Sequence, residues 1–168
     1  ILKYGGWKNR MWTETGFSTY SSSNPITEDE AAEGAVKTFA YADLTNVSDA
    51  YIYQLLNDGV DINKKEDNWG MFTDDMMPKK SVPAVTYFNT KTNGATLVGN
   101  IDLNKGNGTK CLVYNKDGKP MLFAWTDSGT FVKKFEGTDL KVTDIYGNIV
   151  STSGNNVVIG NSPVYIEN

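Results

Sequence analysis

Residues 10–22 read RMWTETGFSTYSS. Two apolar side chains, Met11 and Trp12, precede Glu14 and Gly16, and the chain then runs into serine and threonine. An apolar run bounded by small loop formers predicts a short strand that ends in a carboxylate. Most glutamates at such a position are solvated, and Glu14 has Arg10 and Lys8 close by in sequence as ion-pair partners. The other reading is a catalytic carboxylate, and the residues downstream bear on that choice.

From Pro25 the text is PITEDEAAEGAVKTFAYADLT. Thr27 followed by Glu30 matches a capping box, in which hydroxyl and carboxylate each satisfy an orphan backbone N–H. Ala31, Ala32, Ala35, Val36, Phe39 and Ala40 recur at helical spacing, a small-residue stripe suited to close packing on a sheet. The run SDAYIYQLLNDG, residues 48–59, is apolar without alternation and predicts a strand buried on both faces, as in a parallel sheet. A charged loop comes next, and then a helix with Ser81 as N-cap, Pro83 in its first turn and Gly94 as its stop. The first part therefore reads strand, helix, strand, helix.

After Gly94 the pattern changes to short β-branched and aromatic runs. These are ATLVGNIDL, TKCLVYNKDGKPMLFAWTD, TFVKKFEG, LKVTDIYGNIV and NVVIGNSPVYIEN, with turn signals at Asp117-Gly118, Ser128-Gly129, Gly147-Asn148 and Gly154-Asn155. They predict an antiparallel β-sandwich over residues 95–168. Two parallel strands and two helices over residues 1–94 leave open sheet edges and little core, which suggests the end of a larger parallel α/β sheet. The start at Ile1, in mid-pattern, agrees with a C-terminal piece of something longer.

Composition narrows the chemistry. The chain has 168 residues, no histidine and one cysteine. Without histidine, Ser-His-Asp and Cys-His nucleophiles are excluded, and acid/base work falls to carboxylates, tyrosine or lysine. Cys111 has no partner for an intrachain disulfide and reads as a small buried hydrophobe. A net charge of −4 with scattered lysines offers no basic face, so nucleic acid is not an expected partner. No run approaches the roughly 18 apolar residues of a membrane helix, and the opening residues lack the zoning of a secretion signal.

In their order, MWTETGFST, the small-residue helix, DAYIYQLLNDG and EDNWGMFTDDMMPKKSVPAVTYF resemble the seventh and eighth βα units of retaining glycoside hydrolases of clan A, the large (β/α)8 clan. MLFAWTD, VTDIYGNIV and VVIGNSPVYIEN resemble the accessory β-sandwich that closes many of these enzymes. The resemblance implies the last two βα units of a TIM barrel over residues 1–94 and an accessory antiparallel sandwich over 95–168. It makes Glu14, on a strand ending Thr-Glu-x-Gly, the nucleophile of a double displacement that cleaves β-glycosidic bonds in oligo- or polysaccharides. The acid/base of this clan lies on the fourth strand, which precedes everything in this chain, so the chain alone is expected to be inactive. Its partners would be a carbohydrate substrate and the missing N-terminal barrel portion, its location extracellular, and it would need no metal or cofactor.

Tyr53, Gln54 and Trp69 are the residues expected to meet a sugar, since apolar C–H faces stack on aromatics and hydroxyls take amide hydrogen bonds. Tyr53 also suits core packing. Trp12, on the same strand face as Glu14, and Trp125, in the sandwich, read as core. Asp58, Asp61, Glu66, Asp67, Asp74 and Asp75 lack calcium-loop spacing and read as a solvated acidic rim. Asn46 and Asn107 open glycosylation-type sequons, too common a triplet to carry weight. The alternative to the enzyme reading is a non-catalytic module, either carbohydrate-binding or structural. With few exposed-looking aromatics over 95–168, structural support is the favoured of those two.

Overall fold

The computed structural model describes residues 9–106 and 108–168. Lys8 and Asn107 lie outside the described residues. The chain divides into two compact units, Ile1–Val82 and Pro83–Asn168.

In the first unit, β1 (Met11–Thr15) precedes α1 (Glu28–Leu44) and β2 (Asp49–Ile52). The strands pair in parallel, Met11 opposite Asp49 and Trp12 opposite Ala50. α1 starts where its capping box predicts: Glu30 N donates to Thr27 Oγ1 at 3.2 Å and Thr27 N donates to Glu30 Oε2 at 2.8 Å. Glu28, Asp29 and Glu30 place negative charge at the positive end of the helix dipole. The stripe Ala31, Ala32, Ala35, Val36 and Ala40 is buried, joined by Ala42, while Phe39 is half-buried.

The second strand departs from expectation. It is only Asp49–Ile52 and alternates exposed with half-buried residues; Tyr51 is 53% and Leu55 68% exposed. β1 is its only strand partner among the described residues, so apolar composition there does not bring burial on both faces. The two strands form a two-stranded parallel sheet, and the described residues contain no closed barrel.

α2 (Ser81–Thr92) opens with Ser81 as its first helical residue rather than its cap, carries Pro83 in the first turn and is followed by Gly94 at φ 75°. The division between units falls in that first turn, whereas the change of pattern after Gly94 suggested residue 94. Then come β3 (Thr96–Asn100), β4 (Thr109–Lys116), β5 (Lys119–Thr126), β6 (Phe131–Lys134), β7 (Lys141–Thr143), β8 (Asn156–Ile159) and β9 (Val164–Glu167). Five of them make an antiparallel sheet in the order β3-β4-β5-β9-β7, and β6 pairs with β8 in a two-stranded antiparallel ribbon. Asp117 and Gly118, at φ 55° and 78°, form the two-residue turn between Lys116 and Lys119, the backbone shape that matches strand twist.

Alternation gives the five-stranded sheet two different faces. On one, Tyr114, Phe123, Trp125 and Tyr165 are buried with Phe88 of α2. The Phe88 and Phe123 ring centroids are 5.6 Å apart and those of Phe123 and Tyr165 4.7 Å. On the other, Cys111, Ala124, Val142, Val164 and Ile166 pack with Val157 and Ile159 of the ribbon. Trp125 and Cys111 are both wholly buried, as their sequence context predicts.

Candidate functional site

Glu14 is the penultimate residue of β1, and its side chain is exposed. Parallel pairing brings the C-terminal ends of β1 and β2 to the same side, so the segments that leave the two strands run beside each other. Tyr53 N donates to Thr15 O at 2.6 Å. Gly16 comes closer still: a Cβ built on it would lie 1.9 Å from Tyr53 O and 3.3 Å from Trp69 Cε3. Only glycine fits that approach. The Tyr53–Gln54 peptide bond is cis.

Tyr53 and Trp69 meet edge to face, ring centroids 6.2 Å apart. The Tyr53 hydroxyl is held above its ordinary pKa, first by burial and then by the negative charges of Asp58, Glu14 and Glu66. Gln54 N donates to Trp69 O at 3.2 Å, and Gln54 O accepts from Met71 N at 2.9 Å. Two buried side-chain donors, Gln54 Nε2 and Trp69 Nε1, have no acceptor among the described residues. A buried donor left in that state costs about 1–3 kcal/mol. Lys65 Nζ lies over the Trp69 ring, 5.0 Å from its centroid.

The structure thus brings Glu14, Tyr53, Gln54 and Trp69 into one neighbourhood, at the ends of two parallel strands. Trp12 is half-buried. Arg10, one of the two ion-pair partners considered for Glu14, instead gives its guanidinium to the carbonyls of Thr45 and Asn46 beyond α1. Asp58, Asp61, Glu66, Asp74 and Asp75 are exposed, but Asp67 is buried and so departs from the expected acidic rim. It is tied to Lys64, whose hydrogen bond holds the Asp67 carboxyl below the usual carboxylate range. No group of three or more His, Cys, Asp or Glu is arranged to hold a metal ion among the described residues. No helix among them is long and apolar enough to cross a membrane.

Lys79 stands in the Pro78-Lys79 turn of the stretch that carries the resemblance, but the sequence gives it no role of its own. It is buried, and its ammonium donates to Asn57 Oδ1 at 2.9 Å, Thr19 Oγ1 at 3.2 Å and Asn68 O at 3.4 Å. Burial lowers its pKa from the ordinary lysine value, partly offset by Glu28. Its place in the turn before α2 is part of the resemblance, but nothing in the residues beside it predicts burial of the ammonium.

No family model matches the chain, and no curated protein does. Among solved structures, a family 39 glycoside hydrolase from the gut symbiont Bacteroides cellulosilyticus WH2 is similar with a TM-score of 0.80 at 20% identity, over 96% of this chain and 34% of that one. A family 30 endoxylanase from Clostridium papyrosolvens C71 aligns over 95% of this chain and 41% of that one, with a TM-score of 0.48 at 13% identity. The fold of this chain is therefore similar to that of a portion of the family 39 glycoside hydrolase, and the chain spans 34% of that enzyme's length.

Proposed function

We propose that this chain is the portion of a retaining glycoside hydrolase that supplies the nucleophile, Glu14, to a site completed by polypeptide outside these residues. In this reading β1, α1, β2 and α2 are the last two units of a (β/α)8 barrel, whose sites lie at the C-terminal strand ends. The observation that carries it is the convergence of Glu14 with Tyr53 and Trp69 through Gly16, at that end of two parallel strands. The two orphan donors on Gln54 and Trp69 suit a hydroxyl-rich ligand.

The chemistry rests on a carboxylate pair about 5–5.5 Å apart. Glu14 attacks the anomeric carbon as the partner acid protonates the departing glycosidic oxygen. A glycosyl ester of Glu14 forms, and the partner, now a carboxylate, takes a proton from water as that water displaces Glu14. A β-linked oligo- or polysaccharide substrate and an extracellular location complete the proposal.

Trapping with a 2-deoxy-2-fluoro glycoside tests it on the enzyme that contains these residues and a complete barrel. One glycosyl unit is expected on the peptide bearing Glu14, and none in Glu14→Gln. A label on another residue, or free turnover of aryl β-glycosides by the 168-residue chain alone, overturns it.

The second unit reads as structural support. Its aromatics Phe88, Tyr114, Phe123, Trp125 and Tyr165 are buried, and Tyr87, Phe131, Phe135 and Tyr146 half-buried, which leaves no exposed ring for a sugar among its described residues. Glycan-induced resonance shifts in β3 to β9 would contradict that role.

A further inference from the structure

We infer that Lys79 is a positioning residue for the Trp69–Tyr53 pair; this deepens the proposed function and rests on it for the reaction, although the anchor stands on geometry. The ammonium is buried and reaches three segments at once: Thr19 after β1, Asn57 after β2, and Asn68 at the end of the 3-10 turn Lys65–Asn68. Each acceptor is itself tied to the site. Asn57 Oδ1 also accepts from Gly70 N at 2.9 Å, and Asn68 O also accepts from Thr19 N at 3.1 Å. Of the residues on either side of Trp69, Asn68 therefore meets the cation directly and Gly70 is joined to it through the Asn57 oxygen that both reach.

Trp69 in turn meets Tyr53 edge to face and lies beside Gly16, two positions from Glu14. Hydrogen bonds from a cation are about twice as strong as neutral ones and fix geometry accordingly. No carboxylate lies within ion-pair distance of Lys79 among the described residues, and Glu28 acts on it only through space, so its hydrogen-bond donors are spent on this loop junction. Removing the ammonium relieves a burial cost while freeing three acceptors, so order around Trp69 is affected more than overall stability.

The test uses 5-fluorotryptophan in the full chain, with the Trp69 fluorine resonance assigned through Trp69→Phe. In Lys79→Met the Trp69 resonance shifts and broadens while that of Trp125 stays. Lys79→Gln gives the same readout should the first variant fail to fold. In the enzyme with a complete barrel, KM rises by about tenfold with kcat changed less than about threefold, the mark of lost substrate positioning. An unmoved Trp69 resonance overturns the inference whatever the kinetics. A moved resonance with unchanged KM overturns its bearing on the reaction, and no glycosidase activity in the unaltered enzyme overturns the site reading instead.

Discussion

Gly16 lies against the main-chain carbonyl of Tyr53, so close that a methyl group there would occupy the space of the oxygen. The contact joins the strand bearing Glu14 to the aromatic pair beyond β2, and backbone has no rotamer by which to yield. Gly16→Ala is expected to destabilise the first unit by about 1–3 kcal/mol through overpacking and to displace Tyr53 and Trp69. Urea unfolding followed by tryptophan fluorescence measures the first effect, and loss of the Tyr53–Trp69 cross-peaks in NMR the second.

The capping box on α1 gives a smaller and separate effect. Thr27→Ala removes the acceptor for Glu30 N and is expected to cost about 1 kcal/mol in urea unfolding. Thr27→Ser retains the hydroxyl and should stay within about 0.5 kcal/mol of the unaltered chain.

In the second unit the β4–β5 turn depends on Gly118 at φ 78°. Gly118→Val forces a β-branched side chain into the left-handed region, at about 1–2 kcal/mol. Gly118→Asn is tolerated better there. Thermal unfolding of the two variants side by side checks the order.

Burial pushes the Cys111 thiol from an ordinary 9.0 up to about 11. The unfolded chain therefore loses that proton first as pH rises, and the folded state is disfavoured between those two values. The contribution is complete below pH 9.0 and gone above pH 11 or so, a loss of about 3 kcal/mol across the interval. Cys111→Ala removes this component, so the difference in unfolding midpoint between variant and parent should narrow as pH rises through it. A thiol reagent at neutral pH should react with Cys111 only on unfolding.

How far these features are legible in the sequence depends on how local their causes are. Thr27 and Glu30 lie three positions apart and cap a helix without tertiary help, so their pattern is readable by eye. Asp117-Gly118 and the alternation along β4 and β5 are local in the same way. The run Tyr51 to Leu56 misleads because hydrophobicity states what a residue would bury, while burial depends on neighbouring strands that the described residues do not provide. Glu14, Tyr53, Gln54 and Trp69 are readable only as an ordered resemblance. Lys79 is readable only as part of that resemblance, and its anchoring is not, because its three acceptors come from segments as far as 60 positions away.

The opposed faces of the five-stranded sheet constrain how this half can change length. Val164 and Ile166 point to the aliphatic layer and Tyr165 to the aromatic one, so a single residue inserted within β9 would reverse that parity and drive a tyrosine ring among valines. Insertions and deletions should accordingly survive at hairpin tips such as Asp117-Gly118 and be lethal to folding inside the strands, whatever their chemical character.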